Sequence, residues 1–336
     1  MKYNVGIVGY GYWGPNLARN FYNHPHFNLF AIADIDVKKR KLAKKQYPNV
    51  NIYDHSNSLI ALEEIQVVVV TTVVSQHFEV AKLALENGKH VLLEKPACAS
   101  YDKLNELKKI AERNGLTLMI DYTFLYNGAV SKLKDIVKKE NFGKLNYIDS
   151  TRINLGIFQT DINVIWDLAS HDIAIINYLV EESPSSVLAT GISHTNNNIE
   201  NIAFLTLKYK KANLIVHINC SWSSPVKIRQ MLIGGDKKMV VYNDIEPTDK
   251  LKVYDCDFNI DNDDERKEIL VDYRMGDVNI PKFNTKEALS SLVEEFYEAI
   301  HDKKTPKSSI DFSLEVSKVL EAAQKSIKNN STEVML

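Results

Sequence analysis

Over the first third of the chain, short apolar runs alternate with amphipathic stretches. "YNVGIVGY", "NLFAIAD", "QVVVVTT", "KHVLLEK" and "LTLMID" read as buried strands, and the 3.6-residue pattern predicts helices near 12–23, 36–46, 76–87 and 100–113. Strands separated by helices of that length imply βαβ units and a parallel sheet covered on both faces. Beyond residue 121 the pattern changes. A helix near 128–139 precedes a strand near 144–154 and a strongly apolar helix near 163–180. Alternating strands then fill roughly 185–272, and two helices, near 285–302 and 311–328, follow. Consecutive strands of this kind predict an antiparallel or mixed sheet. The expected architecture is α/β: an N-terminal Rossmann dinucleotide-binding domain over 1–121, and a C-terminal α+β domain over 122–336 with an open, largely antiparallel sheet. The terminal helices are candidates to pack back on the first domain. The polar stretch "DCDFNIDNDDERKE" reads as an exposed hairpin tip, with no role in a site.

Composition narrows the partners. The 336 residues are enough for two cores, and 45% hydrophobic with 25% charged content is that of a globular protein. A net charge of −2 offers no basic field for nucleic acid and no polybasic membrane anchor. The most apolar stretch, "IQVVVVTTVV", is too short to span a bilayer. Strand-like sequence begins at once, so no signal peptide is expected. Cys98, Cys220 and Cys256 are widely spaced and lack a C-x-x-C pair, which speaks against a disulfide framework and a zinc site and for a cytoplasmic setting.

Candidate chemistry begins at "VGYGYWGPNLARN". Gly9, Gly11 and Gly14 form G-x-G-x-x-G after a predicted strand and at the start of a predicted helix, and Asp34 follows Gly14 by twenty residues. In that setting the glycines allow a tight turn, close approach of a pyrophosphate and close helix packing. Asp34 would accept from the adenosine ribose hydroxyls and repel a 2′-phosphate, so NAD is favoured. The basic run "DVKKRKLAKK" keeps NADP as an alternative, although it reads equally as a solvated helix face.

"GKHVLLEKPACAS" places Glu94, Lys95 and Pro96 at the end of a predicted parallel strand, the edge where α/β proteins hold ligands. Together with the glycine loop and "TTVVSQHFEVAKLALENGKHVLLEKP", this tripeptide resembles the signature of the Gfo/Idh/MocA oxidoreductases, and the likeness extends to "KEALSSLVEEFYEAI". Val73 departs from the Pro that often follows Thr72 in that family. The resemblance implies cofactor contacts from Gly9, Gly11, Tyr12, Trp13, Gly14, Asp34 and Ile35, and from Thr72, Val73, His77, Glu94, Lys95 and Pro96 toward the nicotinamide. It also implies a cis Lys95–Pro96 bond.

"NVIWDLASHDIAIINYLV" supplies the second set. In a helix Asp167 and His171 are four apart and share a face. By themselves they could be a satisfied core pair, and a metal would lack a third ligand nearby. Their D-x-x-x-H spacing also resembles the family's catalytic helix, which implies that His171 is the base, Lys95 its electrostatic partner and Asp167 an orienting group, meeting at the junction of the domains. Asp172 projects into the apolar stripe and reads as a buried acceptor for backbone N–H groups. The resemblance also implies Tyr122 as a reserve acid. Arg152 and Asn154, alternating on one strand face, are either solvent-exposed strand positions or substrate contacts beside Lys95, Tyr122, Asp167 and His171.

The stretches "TFLYN" and "TRINLGIFQTDINVIWDLASHD" resemble nucleotide-sugar and surface-polysaccharide members. That implies oxidation or reduction at C3 of a UDP- or dTDP-linked hexose. A free polyol or monosaccharide is the alternative substrate, and a non-catalytic NAD-binding regulator the alternative class. The partly apolar sheet face that includes "LIVHINCSW" and "MLIGG" needs a partner, and the resemblance implies face-to-face pairing into a homodimer or homotetramer.

Overall fold

Each apolar run of the first third becomes a strand of one parallel sheet. In the computed structural model, which describes residues 2–156, 158–259 and 272–336, the strands are β1 (Tyr3–Val8), β2 (Phe27–Ala33), β3 (Asn51–Tyr53), β4 (Val67–Val70), β5 (His90–Glu94) and β6 (Leu118–Asp121). Their order is β3-β2-β1-β4-β5-β6, all parallel. Val67 to Val70 are wholly buried in the middle of the sheet, so all four side chains contribute, at about 1.5–3 kcal/mol for each fully buried valine. The crossovers are α1 (Gly14–Asn23), α2 (Val37–Gln46), α3 (Ser56–Ile60), α4 (Val74–Glu86) and α5 (Tyr101–Arg113). Strand β3 and helix α3 have no counterpart in the sequence pattern, because three and five residues are too few to display a period.

The chain divides into two compact units, Met1–Tyr126 with Lys286–Ser317, and Asn127–Thr285 with Lys318–Leu336. Helix α8 (Ala288–His301) and the start of α9 (Ile310–Lys328) therefore belong to the first unit.

The second unit contains α6 (Gly128–Val137), β7 (Leu145–Leu155), α7 (Ser170–Val180), β8 (Ser186–Ile192), β9 (Ile202–Tyr209), β10 (Leu214–Ser221), β11 (Ser223–Gly235), β12 (Met239–Asn243), β13 (Leu251–Asn259), β14 (Asp272–Asn279) and β15 (Val334–Met335). The strands form one sheet in the order β14-β13-β12-β11-β7-β10-β9-β8-β15, antiparallel except for β7 beside β10. Ile148, Val216, Ile218, Leu205 and Ile233 are buried on one face, whereas Tyr147, Phe204, Ile215 and Leu232 on the other are exposed. That alternation is the expected half-covered sheet. The hairpin tip anticipated within 255–268 falls largely outside the described residues.

One regularity fails. The helix expected over 163–180 is α-helical only from Ser170, and Ile165–Ala169 form a π-helical turn. Asn163 caps its start, with Oδ1 accepting from Ile165 N and Trp166 N at 3.1 and 3.2 Å. Such turns insert one residue into the helical register and recur at functional sites.

Candidate functional site

In the first unit, the β1–α1 loop sits at the point where strand order reverses between β1 and β4, the usual ligand crevice of such sheets. Gly9 has φ +99°, a conformation that suits glycine, and a Cβ there would strike the Thr71 carbonyl. A Cβ on Gly14 would strike the Gly9 carbonyl. Around Gly11 a Cβ would meet nothing closer than Lys39 Nζ at 3.6 Å, so the loop backbone is open to an approaching group. Pro15 lies in the first turn of α1 and no acidic residue accompanies it, leaving the positive helix end uncompensated. These features fit a pyrophosphate.

Asp34 ends the neighbouring strand, buried, with Oδ2 accepting from Tyr10 N at 2.6 Å and Oδ1 from Asp36 N at 2.7 Å. The carboxylate keeps acceptor capacity beyond those two bonds. Arg40 turns back on the loop, donating to the Asp34 and Ile35 carbonyls at 2.7 and 2.9 Å. Tyr12 and Ile35, each 82% exposed, and Val73, 62% exposed, are apolar side chains at adjacent strand ends. Trp13 meets Tyr12 edge to face.

Lys95 follows the last residue of β5, and its peptide bond to Pro96 is cis, as the resemblance implies. His77, on α4, ties this turn to its neighbour. Its Nδ1 lies 3.0 Å from the Pro96 carbonyl and its Nε2 3.0 Å from the Thr72 carbonyl. The ring is almost fully buried, whereas Thr72 and Lys95 are half-buried. His77 thus clamps two strand ends rather than presenting a ring nitrogen to a ligand. Glu94 is buried beside its register partner Asp121 of β6, a residue that motif reading passed over.

Tyr122 is a correction. Its ring is buried edge-on to Phe312 and its hydroxyl lies against Ser313, with burial pushing its pKa up to about 12. It is a core residue of the first unit, not a reserve acid.

In the second unit, Asp167 lies in the π-turn and His171 in the first turn of α7, both half-buried. Asp167 Oδ2 accepts the indole N–H of Trp222 at 2.9 Å. Trp222 follows β10 directly, is buried, and packs against Phe158 with ring centroids 5.6 Å apart. The sequence signal for it was the indole itself, which needs an acceptor when buried. Asn154 is half-buried near the same place, since both its amide and the Trp222 ring lie close to Gly156. Asp167, Trp222 and Asn154 thus lie together at this end of the sheet, and His171 follows Asp167 by four residues.

Arg152 departs from expectation. It alternates with Asn154 as anticipated, but it points into the interior, where Nε and Nη2 donate to Asp172 at 2.7–3.0 Å. Asp172 is therefore a buried acceptor as read, with a guanidinium in place of backbone N–H groups as its partner. The pair spends the charge of Arg152 inside the fold, which corrects its reading as a substrate contact.

A parallel sheet carrying a glycine cradle at its switch point defines the first unit as a dinucleotide-binding Rossmann domain. The description "Oxidoreductase family, NAD-binding Rossmann fold" matches residues 3–122, and "Oxidoreductase family, C-terminal alpha/beta domain" matches residues 160–336. The chain belongs to the Gfo/Idh/MocA oxidoreductase family. Among its relatives, an uncharacterized oxidoreductase of Bacillus subtilis, YrbE, is 23% identical over 71% of this chain and 70% of its own length. The UDP-N-acetylglucosamine 3-dehydrogenase of Acidithiobacillus ferrooxidans is 26% identical over 56% of this chain. That match spans 58% of the relative's length, less than two thirds. A solved structure of that dehydrogenase, GnnA, superposes with a TM-score of 0.81 at 18% identity, covering 99% of this chain and all of the other, a likeness of fold. No described helix is long and apolar enough to cross a membrane.

Proposed function

We propose that this chain is an NAD-dependent dehydrogenase acting on a secondary alcohol or ketone of a sugar, at C3 of a UDP- or dTDP-linked hexose. The carrying observation is Lys95, a cation on the cis turn at the C-terminal sheet edge, beside the strand ends that flank the cradle. The similarity to a UDP-N-acetylglucosamine 3-dehydrogenase supports the sugar nucleotide. NAD is favoured over NADP because Asp34 would repel a 2′-phosphate and Arg40 is turned onto backbone carbonyls.

Gly9–Gly14 would hold the pyrophosphate and Asp34 the adenosine ribose, and the bound nicotinamide would supply the hydride acceptor. His171, an imidazole whose ordinary pKa is near neutral, takes the hydroxyl proton. Lys95 stabilises the developing alkoxide oxygen. Asp167, fixed by Trp222, orients the substrate or the imidazole. The protein works as a homodimer or homotetramer in a cytoplasmic setting.

The test is a panel of UDP- and dTDP-hexoses, free hexoses and inositols, with NAD or NADH, followed by absorbance and mass spectrometry. Turnover of a nucleotide sugar supports the reading. Turnover of free polyols alone would favour the alternative that the similarity to the scyllo-inositol 2-dehydrogenase of Bacillus subtilis, 24% identical over 63% of this chain, suggests. NAD binding without any turnover would favour a regulator.

A further inference from the structure

Two carboxyl groups without a part in the reaction above lie at one level of the parallel sheet. Glu94 and Asp121 are register partners on β5 and β6, so their side chains point to the same face. Both are buried, at 6% and 1% exposure. Two ionised carboxylates there would repel strongly in a poorly solvated interior.

The hydrogen bonds indicate where a proton resides. Glu94 Oε2 accepts the backbone N–H of Lys95 at 3.1 Å. Asp121 Oδ1 accepts the Thr123 hydroxyl at 2.5 Å. Asp121 Oδ2 is sealed from solvent, and among the described residues no N–H or hydroxyl reaches it. A proton on Glu94 is the donor that remains. Burial, the Asp121 charge and the contact between the two side chains push Glu94 well above the usual carboxyl range, while Lys95 opposes the rise. Burial raises Asp121 as well, against the bonds from Thr123 and Glu94 and the charge of Lys95.

We propose that Glu94 and Asp121 share one proton and so hold a single negative charge beneath the turn that carries Lys95. Without the shared proton this level of the sheet would carry two buried negative charges side by side. The titratable groups acting on the pair are Lys95 at the end of β5 and Tyr126 in the turn after β6. Tyr126 feels the Asp121 charge, and its hydroxyl bonds Ser308 at 2.9 Å and Glu295 of α8 at 3.3 Å. The readout below uses neither substrate nor cofactor, so this inference and the proposed reaction can fail separately.

Amide variants test it, because an amide beside a carboxylate reproduces one charge and one donor. Infrared difference spectra of the full chain at neutral pH should contain the C=O stretch of a protonated carboxyl, and Glu94→Gln should remove it. Asp121→Asn should remove it as well, because either amide supplies the donor that the shared proton supplies in the unmutated protein. Absence of the protonated band, or its persistence in both Glu94→Gln and Asp121→Asn, overturns the proposal.

Discussion

Arg152 grips Asp172 inside the second unit, with Nε 3.0 Å from both carboxylate oxygens and Nη2 2.7 Å from Oδ1. The two side chains are only 4% and 2% exposed. The pair joins the central strand β7 to helix α7, so the helix that carries His171 is anchored to the sheet by charge as well as by packing. Removing one partner strands the other. Asp172→Ala should lower the unfolding free energy by about 3–5 kcal/mol, read as a drop in the urea midpoint. The double change Arg152→Met with Asp172→Leu should recover much of that loss. An Asp172→Ala protein as stable as the parent would refute the account.

Catalysis should separate from binding. Lys95→Met and His171→Ala should each reduce kcat roughly 10²–10⁴-fold, while NAD affinity by calorimetry changes far less. The double variant should lose little beyond the worse single, because residues acting as one unit are not additive. Asp167→Asn should fall between, and Trp222→Phe, which removes the indole donor to Asp167, should cost less than Asp167→Asn. A near-normal single-turnover rate in His171→Ala would leave Lys95 alone to manage the proton.

Cofactor choice turns on one carboxylate. Asp34→Ala should weaken NAD binding much more than NADP binding, since the variant loses both a ribose acceptor and the charge that repels a 2′-phosphate. Tighter binding of NADP than of NAD by the unmutated protein would contradict the assignment.

Stability should fall as pH rises through the range in which Glu94 keeps its proton. The unfolded chain releases that proton near pH 4.3, whereas the folded chain holds it to a well-raised pKa because of burial and Asp121. Between those values the native state binds more protons. Unfolding free energy therefore declines by up to about 1.4 kcal/mol per pH unit, and the decline ends above the folded pKa. The contribution is complete below the unfolded value. Glu94→Gln should flatten this slope in urea midpoints collected across pH. An identical slope in the variant would remove Glu94 as its source.

The exposed sheet face should be buried between copies. Tyr147, Ile215, Leu232 and Phe204 lie on it together, and an apolar set of this kind marks an interaction surface. Light scattering should give a dimer or tetramer mass at micromolar concentration, and Ile215→Lys should shift it toward the monomer. A monomer mass for the unmutated protein ends the proposal.

Sequence made the cofactor cradle legible because its chemistry is local. Gly9, Gly11, Gly14 and Asp34 are constrained by one turn and the strand beside it. The parallel sheet and the half-covered mixed sheet were readable for a similar reason, since burial imprints its period on the chain. Contacts that depend on register were hidden. Nothing near Arg152 names Asp172, twenty residues away on another element, and the alternation that put Arg152 and Asn154 on one face did not reveal that this face lay inward. Glu94 and Asp121 meet only because β5 and β6 pair at a particular level. Tyr122 was a candidate acid only through the family resemblance, and its ring is buried edge-on to Phe312.

The π-turn at Ile165–Ala169 has a consequence for how this segment can change. It stores one residue more than an α-helix would need, and each residue of an α-helix turns the chain by about 100°. Deleting one residue there would allow an ordinary α-helix to form with no loss of hydrogen bonding. Within the turn the deletion would change the spacing, and so the angle about the helix axis, between Asp167 and His171. Asp167 could then keep its indole partner, or His171 its place on α7, but not both. A shorter chain with a more regular helix would therefore be the poorer enzyme, and length in this stretch is as much a coded quantity as residue identity.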